Sequence, residues 1–264
     1  MTIDRLDTGV AHPARRYNYW LGGKDNFAAD RESGDLLAKS YPAARIAARA
    51  NRAFLQRAVG YLAREAGLRQ FLDVGTGLPT ADNTHEVAQR IAPESRIVYV
   101  DHDPMVMAHA RALLTSTPEG ETRYLEEDLR EPQRILDSLE ILDLSQPVGL
   151  ILVAVVHFMP SQDEARSAVR ALVDALPSGS HLVMTSATTD FLTPALKANW
   201  DESLRTGRSD VHPRGRAEFE QFFEGLDLVD PGITAISQWR PDPAAEERPT
   251  PVEASLFGAV ARKL

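Results

Sequence analysis

Residues 71–79 read FLDVGTGLP, and this stretch decides the fold class of the chain. Its apolar residues suit a buried strand. Gly75 and Gly77 lack a Cβ, so the backbone after the strand can turn sharply and approach a ligand. Asp73 brings a carboxylate to the end of the strand, where burial is costly without a partner. By itself the stretch fits either a tight turn before a helix or a loop that holds a ligand.

Strand and helix patterns alternate on both sides of this stretch. Predicted strands are 71–74, 96–101, 121–129, 148–159 and 178–188, with two closing strands at 232–239 and 255–263. Predicted helices are 43–66, 80–92, 102–116, 131–142, 161–176 and 217–226, whereas 193–216 is polar and irregular and 241–251 is a proline-rich, solvated connector. Alternation with short connections predicts a doubly wound parallel sheet with helices on both faces.

Composition narrows the class of protein. The chain has 264 residues, of which 43% are hydrophobic and 25% are charged, as expected of one ordinary globular unit. It has no cysteine, and its histidines have no metal-ligand spacing, so we predict no metal. The net charge of −9 argues against a general nucleic-acid surface. Neither a signal-peptide core nor a membrane-length apolar run is present, and we expect a soluble, cytoplasmic protein without membrane contact.

Acidic residues follow the second and third predicted strands. In an open α/β sheet, ligands bind beyond the carboxyl ends of the strands. Asp101 at such an end can accept both hydroxyls of a ribose, and Asp128 can read the edge of an adenine. A dinucleotide would require a third glycine at Thr80 and a site without the anion of Asp73. S-adenosylmethionine, which has an α-ammonium group, a ribose and an adenine but no phosphate, fits this constellation better.

The motifs FLDVGTG (71–77), VYVDHDP (98–104) and EEDL (126–129) resemble those of class I S-adenosylmethionine-dependent methyltransferases. Residues 14–31 and 73–114 together resemble, more narrowly, the S-adenosyl methyltransferase family abundant in actinomycetes and long catalogued as a domain of unknown function. The resemblance implies an α/β, Rossmann-like sheet of seven strands, mostly parallel, with an antiparallel C-terminal strand. It also implies an N-terminal helical cap or lid at 1–66 and one cofactor-binding domain at 67–264.

The resemblance also assigns site residues. Asp73, Gly75 and Gly77 would meet the methionine part of S-adenosylmethionine, and the product would be S-adenosylhomocysteine. Asp101 would hold the ribose, and Asp128 and Leu129 would frame the adenine. His102 and Val155 complete this part of the predicted cofactor site.

The N-terminal stretch 17–27 reads YNYWLGGKDNF and is the most specific part of the resemblance. Aromatic faces attract cations, and a sulfonium is a cation. We therefore predict that Tyr17, Tyr19, Gly23 and Asn26 close over the cofactor. The alternative is that the aromatic side chains only fix the N-terminal helix to the core.

The sequence indicates less about the residues that would contact the methyl acceptor. His157 follows the fourth strand, where it is either a general base or only part of the pocket wall. Residues 193–216 would form the outer wall of the acceptor pocket. Trp200 and several arginines in this segment favour a planar or anionic small acceptor. The alternative is that the segment is a solvated loop. We expect a methyltransferase acting on a small molecule at oxygen or nitrogen. The alternatives are a protein that binds the cofactor without catalysis and a nicotinamide-dependent oxidoreductase.

Overall fold

One sheet of eight strands lies at the centre of the protein. The computed structural model describes residues 7–242 and 248–264, so the start of the predicted cap and residues 243–247 of the connector lie outside the described residues. The strands are β1 Gln70–Val74, β2 Arg96–Asp101, β3 Glu121–Glu126, β4 Gly149–Val153, β5 His181–Ala187, β6 Leu226–Leu228, β7 Thr234–Ala235 and β8 Leu256–Lys263. Their order is β3-β2-β1-β4-β5-β8-β6, and β7 also pairs with β8.

The first five strands are parallel, and β8 runs antiparallel to β5. This confirms the predicted mostly parallel sheet with an antiparallel C-terminal strand. The predicted count of seven strands was wrong, because β6 was not recognised. It has only three residues, Leu-Asp-Leu, and lies at the edge of the sheet, where such a short half-exposed strand has no distinctive pattern.

Helices cover both faces of the sheet, as predicted. They are α1 Pro13–Trp20, α2 Ala28–Ser40, α3 Ala44–Arg64, α4 Thr84–Ile91, α5 Pro104–Leu113, α6 Pro132–Leu136, α7 Gln162–Ala175, α8 Pro194–Arg205, α9 Arg216–Glu220 and α10 Pro251–Ala254. One apolar core joins α6, α7 and α9 to the sheet, and a second joins α3, α4, α8 and α10 to the opposite face. No helix in the described part of the chain has the length and apolarity that a membrane span requires.

The N-terminal helices differ in their relation to the sheet. The apolar stripe of α3 is buried against the sheet through residues such as Phe54 and Leu62, neither of which is exposed to solvent. By contrast, α1 packs against α2 and α3. Helix α3 is therefore a layer of the central core as much as it is part of a cap.

Several predicted elements have different bounds in the structure. The predicted strand 148–159 ends at Val153, because Ala154 has a φ of 58°, and a 3₁₀ helix follows at Val156–Phe158. The predicted helix 217–226 is divided into α9 and a 3₁₀ helix at Gln221–Phe223. The segment 193–216 is not irregular throughout, because it begins with α8, where Thr193 caps the N-terminus through a hydrogen bond from Leu196 N.

We predict that Tyr99→Phe lowers the free energy of unfolding by about 1–3 kcal/mol, because a buried donor loses its acceptor. The Tyr99 hydroxyl accepts a hydrogen bond from His85 N at 2.7 Å and lies 2.9 Å from His85 Nδ1. Urea denaturation measures the effect. Tyr124→Phe is the control, since its ring stacks on Tyr99 but, among the described residues, its hydroxyl forms a hydrogen bond only with Thr122 Oγ1, at 3.2 Å. Equal losses in the two variants would contradict the prediction.

Candidate functional site

A cavity of about 380 Å³ opens at the carboxyl ends of β1, β2 and β4. It lies where the strand order reverses between β1 and β4, which is the usual ligand position in an open α/β sheet. The cavity continues from this edge to side chains of α1, α2, α3 and α8. Its size falls in the range of pockets that bind small molecules.

The loop after β1 bends towards β2. Gly75 N donates to the carbonyl of Val100 at 2.8 Å, and Gly75 and Gly77 both have positive φ, at 76° and 69°. A Cβ at Gly75 would lie 2.5 Å from Cγ2 of Val155, so only glycine permits this approach of the two strand ends. The predicted residues Gly75 and Val155 therefore meet in the cavity wall, which Gly77 also lines.

Asp101 fixes this loop and faces the cavity. Its Oδ2 accepts a hydrogen bond from Gly77 N at 2.8 Å, and its Oδ1 accepts one from Asp103 N at 3.0 Å. Each carboxylate oxygen keeps a further lone pair for a ligand. His102 also lines the cavity, and its Nε2 lies 3.2 Å from Nε2 of His12, the residue that caps α1.

Asp73 is a buried carboxylate in the cavity wall. Its Oδ2 accepts a hydrogen bond from Thr84 Oγ1 at 2.6 Å, and the side chain forms no ion pair among the described residues. Burial raises the pKa of Asp73 to about 6, which the Thr84 hydrogen bond and the charge of Arg52 only partly oppose. A ligand cation beside Asp73 would therefore stabilise its ionised form.

Asp128 lies at the other end of the same edge and is held by Arg130. Nε of Arg130 donates to both carboxylate oxygens at 3.0 Å, and Nη2 donates to Oδ2 at 2.6 Å. Burial opposes ionisation here, but the hydrogen bonds from Arg130 are sufficient to lower the pKa of Asp128. Leu129 is buried beside it in the cavity wall, where it offers an apolar surface.

His157 lies in the 3₁₀ helix after β4 and lines the cavity. Its Nδ1 accepts a hydrogen bond from Ala187 N at 3.1 Å. Burial lowers the pKa of His157 to about 3, and the charges of Arg214 and Arg16 act in the same direction. The imidazole is therefore neutral near pH 7 and is a weak base.

The four residues of the N-terminal stretch that were predicted to close over the cofactor do not all line the cavity. Tyr17 lines the cavity. Tyr19 points away, with its hydroxyl on Asp35 at 3.0 Å, and Asn26 donates to the Gly23 carbonyl at 2.9 Å. Tyr19, Gly23 and Asn26 are absent from the cavity wall. Tyr19 instead connects α1 to α2, and Gly23 and Asn26 stabilise the turn between these helices.

Arg16 and Asn51 are buried polar residues of the cavity wall that the sequence analysis did not predict. Arg16 was hidden in a charged, aperiodic stretch. Asn51 accepts a hydrogen bond from Thr185 Oγ1 at 2.9 Å and donates to Tyr17 Oη at 3.1 Å. Asn51 could have been recognised from its position on the apolar stripe of α3, because a buried polar side chain there needs a hydrogen-bond partner.

One alternative from the sequence was that the arginines at 205–216 lie on a solvated loop. The structure does not place them all in solvent. Arg205 and Arg208 are exposed beside Glu202. Arg214 is only 4% exposed and donates to the backbone carbonyls of Val156 and Met159 at 2.9 and 2.8 Å. It therefore fixes the 3₁₀ helix that carries His157. Sequence alone does not distinguish this arginine from its neighbours.

The sequence profile of the S-adenosyl methyltransferase family matches residues 1–264. The chain belongs to this family. No curated protein matches it in sequence. A DUF574 family protein from Streptomyces avermitilis is 47% identical over 98% of this chain and all of its own, with a TM-score of 0.92. A putative methyltransferase from Thermobifida fusca is 40% identical over 97% of this chain and 96% of its own, with a TM-score of 0.86.

More distant structures share the fold. An O-methyltransferase family protein from Burkholderia thailandensis is 15% identical and covers 88% of this chain and 62% of its own, with a TM-score of 0.54. The family and the fold together confirm an S-adenosylmethionine-dependent methyltransferase with a class I, Rossmann-like sheet, and they do not support the nicotinamide-dependent alternative.

The residues of this methyltransferase fit its cofactor. Asp73 is a buried carboxylate that a ligand ammonium would stabilise, and a Cβ built at Gly77 would meet open space, so ligand atoms can approach the loop. The acids Asp73, Asp101 and Asp128 along one edge suit a ligand that lacks phosphate. Within the described ranges, no group of three or more His, Asp or Glu side chains could hold a metal ion.

We predict that Asp73→Asn stabilises the methyltransferase increasingly as the pH rises from about 4 to 7, by about 2–3 kcal/mol at the upper end. The pKa of Asp73 in the folded state is raised to about 6, so the stability that its protonated form contributes is complete below about pH 4 and is lost as the pH rises through about 6. Asparagine does not ionise and avoids this loss.

Urea denaturation of both proteins across this pH range measures the difference. The control is Asp201→Asn, at an exposed position of α8, for which the difference from the natural chain should not vary with pH. A pH-independent difference for Asp73→Asn would show that Asp73 is ionised throughout.

Proposed function

We propose that this methyltransferase acts on a small molecule that enters the same cavity as the cofactor. The observation that carries the proposal is the continuity of the cavity. At one end it is lined by Asp73 and Asp101, and at the other by the aromatic side chains of Trp20 and Trp200. A macromolecular acceptor would need an extended exposed groove, whereas a concave cavity lined by helices suits a compact ligand.

The cofactor-binding residues follow from the geometry of the edge. Asp101 accepts hydrogen bonds from the ribose hydroxyls, and Asp73 pairs with the α-ammonium group. Leu129 covers the adenine, with Asp128 fixed at its side by Arg130. When bound, S-adenosylmethionine supplies an electrophilic methyl group on a positively charged sulfur.

Alignment supplies the main catalytic effect in this proposal. Holding two reactants in line converts a bimolecular step into one that is effectively unimolecular and can account for about 7–11 kcal/mol of a barrier. His157 is neutral and weakly basic, so we assign it contact with the acceptor and not removal of a proton. Ala154 and Val155 line the cavity beside it.

Residues 1–66 act as the cap in this proposal, and a chain of hydrogen bonds connects the cap to the sheet. Ala154 N donates to Thr185 Oγ1 at 2.8 Å, and Thr185 Oγ1 donates to Asn51 Oδ1 at 2.9 Å. Asn51 Nδ2 donates to Tyr17 Oη, whose own proton is donated to the carbonyl of Ala48 at 2.8 Å. Movement of α1 would therefore disturb the end of β4.

The direct test is to incubate the purified protein with methyl-labelled S-adenosylmethionine and a fractionated pool of small metabolites. Formation of S-adenosylhomocysteine with the label in a small product supports the proposal. Label found only in protein or nucleic acid contradicts it, and cofactor binding without turnover in any fraction would favour a binding protein without catalysis.

We predict that Asp101→Ala weakens S-adenosylhomocysteine binding by about 1–3 kcal/mol, the scale for lost hydrogen bonds to a charged group. Isothermal titration calorimetry measures the affinity, and circular dichroism checks the fold. Asp201→Ala removes an exposed carboxylate from α8 and should leave the affinity unchanged. Unchanged affinity in a folded Asp101→Ala protein would remove Asp101 from the site.

The contacts of the cap predict that Tyr17 and Tyr19 differ in their effect on cofactor affinity. Tyr17→Phe leaves Asn51 Nδ2 and the Ala48 carbonyl without their shared partner, so cofactor affinity should fall by about 1 kcal/mol. Tyr19→Phe loses only an exposed bond to Asp35, and its affinity should not change. Calorimetry of both variants decides the matter, since equal affinities would mean that α1 does not contribute to cofactor binding.

A further inference from the structure

The part of the cavity beyond the cofactor edge has aromatic walls. Tyr41 and Trp200 lie with ring centroids 5.5 Å apart, and Trp20 and Phe158 line the same space from α1 and the 3₁₀ helix. Trp200 donates its Nε1 proton to the carbonyl of Val211 at 3.2 Å, which fixes the ring. Such walls suit the faces of a flat, apolar ligand.

The polar group at the β4 end of this space is a hydrogen-bond donor. Because Nδ1 of His157 accepts the backbone proton of Ala187, the proton of the neutral ring is on Nε2. Nε2 has no hydrogen-bond partner among the described residues, and His157 lines the cavity. The imidazole therefore presents an N–H group and not a lone pair to a ligand.

The charges around this donor are positive. Arg214 is 4% exposed and, within the described part of the chain, forms no ion pair, since Glu218 acts on it only from a longer distance. Arg16 is also buried, between the rings of Trp20 and Phe158 at 5.7 and 5.9 Å. A buried guanidinium without a carboxylate favours an anion nearby.

Only one of these two cations has an acidic partner. Nη2 of Arg16 donates to Oδ1 of Asp210 at 2.5 Å, and the Asp210 side chain is 47% exposed, so solvent weakens its compensating effect. The charged groups that act on His157 are Arg214, Arg16 and His212, and none of them is an acid.

We infer that the acceptor is a planar aromatic molecule that enters with an ionised oxygen, and that the methyl group is transferred to this oxygen. The N–H of His157 donates to the oxygen anion, the charges of Arg16 and Arg214 stabilise it, and Tyr41 and Trp200 hold the ring. This inference rests on the proposed function and specifies its acceptor class. An ammonium acceptor would meet the charges of Arg16 and Arg214 beside a neutral His157 that presents no lone pair.

The transfer balances without a protein base. A lone pair of the acceptor oxygen forms the new O–CH₃ bond as the S–CH₃ bond breaks, and the electron pair of that bond remains on sulfur. The acceptor proton has already passed to solvent when the hydroxyl or carboxyl group ionised. The products are a methyl ether or ester and neutral S-adenosylhomocysteine.

Four probes of similar shape test the charge requirement by calorimetry on protein saturated with S-adenosylhomocysteine. They are 4-nitrophenol and 4-nitrobenzoate, both ionised at slightly alkaline pH, the neutral 4-nitrobenzyl alcohol, and 4-nitrobenzylamine, which carries an ammonium group. We expect at least one anion to bind about tenfold or more tightly than the alcohol, and the amine to bind most weakly. Equal or tighter binding of the alcohol or amine, or no binding of either anion, overturns the inference.

Variants that change the charge in opposite directions sharpen the test. Arg214→Met should lower anion affinity about tenfold more than it lowers affinity for the alcohol, since the alcohol reports only the lost hydrogen bonds to the 3₁₀ helix, whereas Arg214→Lys should retain most of the anion affinity. Asp210→Asn removes the exposed partner of Arg16 and should raise anion affinity several-fold. If Arg214→Met does not fold, Asp210→Asn decides by itself, and a fall or no change in its anion affinity contradicts the inference.

Two further measurements separate the possible failures. Failure of S-adenosylhomocysteine to bind the natural chain would count against the proposed function, whereas normal cofactor binding with no anion preference would count against the acceptor class alone. With S-adenosylmethionine present, mass spectrometry distinguishes the phenolate from the carboxylate, because 4-nitrophenol yields a methyl ether and 4-nitrobenzoate a methyl ester.

Discussion

The fixed bend of the β1 loop onto the end of β2 is the constraint on which the site depends. Gly75 N bonds to Val100, and Gly77 N bonds to the carboxylate of Asp101, so one side chain both holds the loop and faces the cavity. Because Gly75 has no Cβ, the β4 end can approach through Val155. Three strand ends thereby form one wall, and acids far apart in sequence share an edge.

Polar contacts help to orient α1 and α2 at the site. The carboxylate of Asp30 accepts hydrogen bonds from His12 N and Phe27 N, each at 2.8 Å, and it lies 3.4 Å from Nε of the buried Arg15. Burying such groups is favourable only when each finds its partner in the correct geometry. The arrangement therefore specifies one orientation of the cap, in which Tyr17 meets Asn51 above the β4 end.

The cavity has opposite electrostatic character at its two ends. Asp73 and Asp101 line the proposed cofactor end, whereas Arg16 lines the proposed acceptor end and the buried Arg214 lies behind the cavity wall, where its charge acts on His157. Burial strengthens both, since charges interact more strongly where solvent is excluded. In the proposed reaction a cationic methyl donor and an anionic acceptor would each meet the charge that suits it. Neutralisation of both during transfer would then weaken product binding and favour release.

The sequence alone determined the layered α/β fold and the glycines and acids that the strands bring to one edge. Alternating strand and helix periods, two glycines after β1 and acids after β2 and β3 are local features, and parallel strands must bring their ends to one edge. Only the tertiary structure decided the rest. Asn51 and Arg214 gain their roles from partners distant in sequence, the edge strand β6 exists only by pairing with β8, and the proton position on His157 depends on the Ala187 backbone. The hydrophobic periodicity of the sequence indicates which residues are buried. It does not indicate which distant groups form hydrogen bonds with the buried polar side chains.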